Sequence, residues 1–139
     1  MSFKEKSTLA MTGILVLVFA GYFSIVVGEV AQSPVRDVAW VGLMVPVVVA
    51  LVVLAAIAHA LIAISAPSQA SAEDERDRLL ERRGAHVGGY VLATGTIVGL
   101  GLAMVDAPTF WIAQALLASL VLGELASSVT ALALYRRGI

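Results

Sequence analysis

The sequence predicts an all-α fold, a polytopic membrane protein whose four transmembrane helices form one bundle, with a short cytosolic amphipathic helix between the second and third spans. Three observations carry this expectation. Hydrophobic residues make up 60% of the 139-residue chain and the mean hydropathy is +0.95. Charged residues make up 14%, where a water-soluble domain usually carries about a quarter. Apolar runs of about 20 residues, the length a helix needs to cross about 30 Å of hydrocarbon, recur along the chain.

The runs place spans at about 9–28, 38–64, 87–105 and 110–135, with a polar loop at 66–86. The whole chain, 1–139, reads as a single membrane domain. Spans two and four exceed the minimum, so tilt or extension past the membrane surface is expected. β-Branched stretches such as Val45-Pro46-Val47-Val48-Val49 suggest strands in water. In lipid the backbone must be satisfied within the segment or in a closed barrel, and barrel strands alternate apolar with polar residues. These runs are apolar throughout, so they are helices. Pro46 falls in the first turns of span two, where a missing N–H costs least.

Loop charges give an orientation. Lys4 and Lys6 precede span one, Arg76, Arg78, Arg82 and Arg83 lie between spans two and three, and Arg136 and Arg137 follow span four; only Arg36 lies on the opposite side. The positive-inside rule then puts both termini and the central loop in the cytosol of a cell (inner) membrane protein. Val18-Phe19-Ala20 has the form of a signal-peptide cleavage site, but the apolar run continues to Val27, longer than a usual signal h-region, so the segment is retained as a span.

The connections fit this layout. Asp106-Ala107-Pro108-Thr109 makes a tight turn, so spans three and four form an antiparallel hairpin; Asp106 or Thr109 is expected to cap span four, with Pro108 favouring helix entry. Trp40, Phe110 and Trp111 mark one membrane interface and Tyr135 the other, as aromatic belts do. In the cytosolic loop Ser71 and Asp74 stand at capping-box spacing. The run Glu73, Asp74, Glu75, Arg76, Asp77, Arg78, Leu79, Leu80, Glu81, Arg82, Arg83 places acids first and bases last, matching the helix dipole, with Asp74–Arg78 and Glu75–Arg78 at stabilising spacings. A surface helix that breaks near Gly84 is expected. Its charged residues, Glu73 to Arg78 with Arg82 and Arg83, form a surface able to recruit a cytosolic protein; a solvated, self-neutralising face is the plainer reading.

Helices in lipid associate through small residues. Span four carries Ala115, Ser119, Gly123, Ser127 and Ala131 at spacing four; span three has Gly95 and Gly99; span one has Ala20, Ser24 and Gly28; span two has Ala55, His59 and Ala63. Bundle packing absorbs most of these stripes. Four helices supply more smooth faces than one small bundle uses, so a homodimer is expected.

Ionisable groups inside a membrane are costly and are functional candidates by default. Glu124 lies about 18 Å of helix before Arg136 and His59 about 12 Å before Pro67, at 1.5 Å per residue. Thr94 reaches a similar depth and Ser128 extends the polar set along span four. Glu124, His59, Thr94 and Ser128 are therefore a candidate polar layer. Acids and histidines inside membranes form proton relays, so the layer suits proton-linked or cation binding; its plainer reading is interhelical hydrogen bonding. Gln114 is expected to bond to a neighbouring helix, and His86 to sit at the inner headgroup level.

Other chemistries lack their residues. There is no cysteine, hence no disulfide, cysteine nucleophile or thiolate metal site. Zinc needs three or four ligands, and only His59 and Glu124 share a depth, so no metal or other cofactor is expected. The glycines of span three lack a phosphate-binding context, so the chain does not read as an enzyme. A net charge of −1 gives no reason to expect nucleic acid as a partner; the partners are membrane lipid, a second copy, and a cytosolic protein at the central loop.

The segment Asp74-Glu75-Arg76-Asp77-Arg78-Leu79-Leu80-Glu81-Arg82-Arg83-Gly84, followed by a Gly-rich span and the ending Tyr135-Arg136-Arg137-Gly138, resembles a group of small bacterial and archaeal membrane proteins of unknown function with four predicted spans and a D-E-R-type motif in the central loop. The resemblance implies the same topology and no particular activity. The four-span small multidrug transporters carry a membrane glutamate in their first span; here the acid is Glu124 in the last, and that family is not assigned. Two functions follow as expectations: an oligomeric protein that binds or moves a small solute or ion with Glu124 as the titrating centre, or a non-catalytic accessory subunit that recruits a partner through its charged loop.

Overall fold

The computed structural model describes residues 3–65 and 75–137. Among them the chain forms four α-helices and one short 3-10 turn: α1 (Phe3–Gln32), the turn Val35–Asp37, α2 (Trp40–Ser65), α3 (Glu75–Met104) and α4 (Thr109–Arg137). Three helices are long and apolar enough to cross a membrane: Thr8–Gln32 within α1, Leu79–Met104 within α3, and Thr109–Arg137. Most of their apolar side chains face outward; Leu17 is 75% exposed, Ile97 68% and Met104 87%. Water does not tolerate contiguous apolar surface on this scale, so lipid is the medium these helices are built for.

Two parts of the expected fold are corrected. The expected four transmembrane spans plus a separate amphipathic helix do not fit the observed elements. The helix placed before span three is not separate: among the described residues its latter part forms the first turns of α3, which runs unbroken from Glu75 to Met104. Gly84, expected to end it, lies inside the helix and is buried. A Cβ there would come within 2.6 Å of the Ser127 carbonyl oxygen, so this glycine serves close approach and not helix termination. Among the described residues three helices qualify as spans, and the apolar stretch that those of α2 supply is the shorter Trp40–Ala50.

α3 and α4 form an antiparallel hairpin along a ladder of small residues. Gly84 packs on Ser127 and Ala131, Gly88 on Gly123 and Ser127, Gly95 on Ser119, and Gly99 on Leu116. Each step up α3 is matched by a similar step down α4. A Cβ at Gly88 would lie 2.5 Å from the Gly123 carbonyl oxygen, and one at Gly99 2.8 Å from Leu116 Cδ2. Close backbone approach of this kind is the main packing gain available to helices in hydrocarbon. The hairpin turn is closed by Asp106, the one described non-glycine residue with positive φ, at 55°. The Ala107 N–H donates to the Leu102 carbonyl (3.0 Å) and the Asp106 N–H to the Ala103 carbonyl (3.2 Å), the paired bonds of a Schellman C-terminus. Asp106 thus terminates α3, while Thr109 lies within α4.

α1 lies along α4 in the opposite direction. The end of α1 and the start of α4 share one buried cluster: Phe19, Tyr22, Val26 and Val38 pack with Phe110, Leu117 and Val121. Trp40, at the start of α2, meets Phe110 edge-on at 6.1 Å. The starts of α1 and α3 and the end of α4 therefore gather at the other end of the assembly, where Arg82, Arg83, Arg136 and Arg137 are exposed.

Candidate functional site

The expected helix-packing residues of α3 and α4 lie inside the hairpin. Ser119, Gly123 and Ala131 are buried, Ala115 and Ser127 half-buried, and Gly95 and Gly99 close against α4. These stripes are occupied within one chain. The stripe of α1 is open: Ala20 and Ser24 are exposed, a Cβ at Gly28 would meet nothing within 4 Å, and Ser24 returns its hydroxyl to the Ala20 carbonyl (2.6 Å).

Of the residues expected to form a polar layer, Glu124 and Thr94 stand on different sides. Glu124 is exposed while its neighbours Val121 and Gly123 are buried; no hydrogen bond or ion pair reaches its carboxylate among the described residues. Ser128, one turn further on and half-buried, shares its face. Thr94 is exposed, donates its hydroxyl to the Tyr90 carbonyl (2.9 Å), and lines a groove between α3 and α4 with Gly95, Ser119 and Leu122. Glu124 comes two residues after Leu122, hence about 200° round the helix, away from that groove. His59 belongs to α2 and its side chain lies outside the described residues. Among the described residues no group of three metal-ligating side chains converges.

Of the expected cytosolic surface, Glu73 and Asp74 lie outside the described residues. Glu75, Arg76, Asp77 and Arg78 are in the first turn of α3, with side chains outside the described set. Arg82 and Arg83 are exposed. With His86, Leu79 and Val87 of α3, and Thr130 and Leu134 of α4, they line a groove of about 530 Å³ at the charged end. His86 stacks edge-on against Tyr90 at 4.9 Å. The spacing of Leu79, Arg82/Arg83, His86 and Val87 marks one helix face; the contribution of α4 to the groove is not visible from spacing.

Gln114 finds its expected interhelical partner in Tyr22. The Tyr22 hydroxyl donates to Gln114 Oε1 at 3.1 Å and accepts from Nε2 at 2.9 Å, both groups buried. This is the polar contact that ties α1 to α4, and nothing in the local pattern around Tyr22 announces it.

Two further grooves follow the helices into the apolar region. One, about 470 Å³, runs between α3 and α4; the other, about 410 Å³, lies between α1 and α4, and both are floored by Ala118 and Leu122. Comparison with protein families, with curated proteins and with solved structures finds no match for this chain.

Proposed function

We propose that the chain is an assembling membrane component, working as a homo-oligomer, in which Glu124 of α4 is the lateral contact and the centre that binds or exchanges a proton or small cation. One observation carries the reading. Glu124 sits mid-helix in a candidate span, exposed, with no partner for its carboxylate among the described residues. A carboxylate facing hydrocarbon is costly, and a partner helix, a cation or a proton removes the cost. The α3–α4 small-residue ladder is spent inside the chain, so it does not serve assembly; the α4 face bearing Leu120, Glu124 and Ser128 does. The membrane is the cell (inner) membrane, with the arginine-rich end and both termini in the cytosol, the placement that the positive-inside rule favours.

The chain has no cysteine, so single-cysteine cross-linking reads without background. Leu120→Cys, one turn before Glu124 and 50% exposed, is expected to cross-link between copies in native membranes, and Ile97→Cys on the outer face of α3 is not. Glu124→Gln in liposomes is expected to abolish pH-dependent proton or cation flux at normal hairpin stability. Absence of the Leu120→Cys dimer together with unchanged flux in Glu124→Gln would refute the proposal.

A further inference from the structure

We propose that the groove at the charged end of the α3–α4 hairpin is a binding site for an anionic phospholipid, with the phosphate held by Arg82, Arg83 and His86 and an acyl chain running along the hairpin. The groove wall is almost wholly apolar, formed with Leu79, Val87 and Leu134, while Arg82, Arg83 and His86, which border it, are exposed and carry their nitrogens at its rim. That mixture fits an amphiphile and not a free ion. Neither arginine is ion-paired among the described residues; Glu81, the nearest described acid in sequence, does not line the groove. Basic pockets between helices at the cytosolic surface suit anionic headgroups, and guanidinium groups bind phosphate bidentately.

The apolar continuation makes the occupant a lipid. The 470 Å³ groove is lined by Tyr90, Val91, Thr94 and Val98 of α3 and by Ala118 and Leu122 of α4. It follows the same α3 face from the point where the headgroup groove ends. From His86 to Val98 the helix rises about 18 Å, close to one leaflet of a hydrocarbon core about 30 Å thick. The α1–α4 groove shares the floor of Ala118 and Leu122 and lies where a second acyl chain would run. Complementary charge at one end and chain-length apolar grooves beyond it are what a diacyl anionic lipid requires.

The test is native mass spectrometry of the full chain in detergent, after exchange with phosphatidylglycerol or phosphatidylcholine. Phosphatidylglycerol is expected to be retained at least tenfold over phosphatidylcholine. Arg82→Gln/Arg83→Gln is expected to bring retention down to the phosphatidylcholine level, and Arg82→Lys/Arg83→Lys to restore part of it. Ala118→Leu, which fills the groove floor with all charges intact, is expected to lower retention as well. Equal retention of the two lipids by the unaltered chain overturns the proposal, and so does displacement of phosphatidylglycerol by excess inorganic phosphate, which marks a bare phosphate site. The unaltered chain alone decides these two arms if a variant fails to fold. Glu124→Gln, on the other side of α4, is expected to leave retention unchanged, so this site stands or falls apart from the proposed exchange centre; a loss in that variant equal to that of the double glutamine variant counts against it.

Discussion

Tyr22 of α1 and Gln114 of α4 exchange hydrogen bonds of 3.1 and 2.9 Å inside the only buried cluster that joins these two helices among the described residues. Helices in hydrocarbon gain little from apolar burial against one another, so one satisfied polar pair weighs more here than another apolar contact. Tyr22→Phe removes the hydroxyl and leaves the Gln114 amide buried without its partner. The expected cost is about 0.6 to 1.7 kcal/mol, read by unfolding in mixed micelles. Gln114→Leu added to Tyr22→Phe should cost less than the two single changes summed, because no orphaned amide remains. Full additivity would show that the pair is not coupled.

The hairpin makes opposite predictions for two glycines of α3. Gly95→Ala drives a methyl into Ser119, and overpacking a close contact typically costs about 1–3 kcal/mol. Gly89→Ala meets nothing within 4 Å and should be neutral or stabilising by up to about 1 kcal/mol from helix propensity. Thermal unfolding in one detergent compares them directly. Equal effects would mean that α3 does not meet α4 along this face.

Asp106 holds the turn between α3 and α4 at a φ of 55°. A left-handed conformation costs an ordinary L-residue about 1–2 kcal/mol, and Asp lowers but does not abolish that cost. Asp106→Gly is expected to raise the melting temperature and Asp106→Val to lower it. The reverse order would place the turn in another conformation.

The gathering of Arg82, Arg83, Arg136 and Arg137 at one end predicts labelling from opposite sides. In intact cells an impermeant maleimide should modify Met104→Cys, at the α3–α4 turn, and spare Glu81→Cys until the membrane is opened. The opposite pattern would invert the proposed orientation without altering the fold.

Much of the architecture was legible because it is local. Apolar runs around Ile14, Ile97 and Leu120 specify helices in lipid whatever their neighbours do, since a backbone in hydrocarbon has few other ways to satisfy its hydrogen bonds. Glu124 stands out as a mid-helix acid for the same reason. The antiparallel hairpin followed from the shortness of the 106–109 turn. Gly84 misled because a glycine between charged and apolar segments has the same sequence appearance whether it ends a helix or lets another helix approach; only the position of Ser127 opposite it decides. The groove of Arg82, Arg83 and His86 was half legible, as one face of α3, but Thr130 and Leu134 come from another helix.

Sequence alone determined the solvent, the helical state and the end at which the charges collect, because each depends on a residue and its near neighbours. Tertiary structure alone decided that the α3 and α4 stripes are spent on each other, and that Glu124 and Thr94 face different ways. Those outcomes depend on how each rod is rotated against the next. Several smooth faces compete for the same mate, and the choice is made by close contacts such as Gly95 on Ser119.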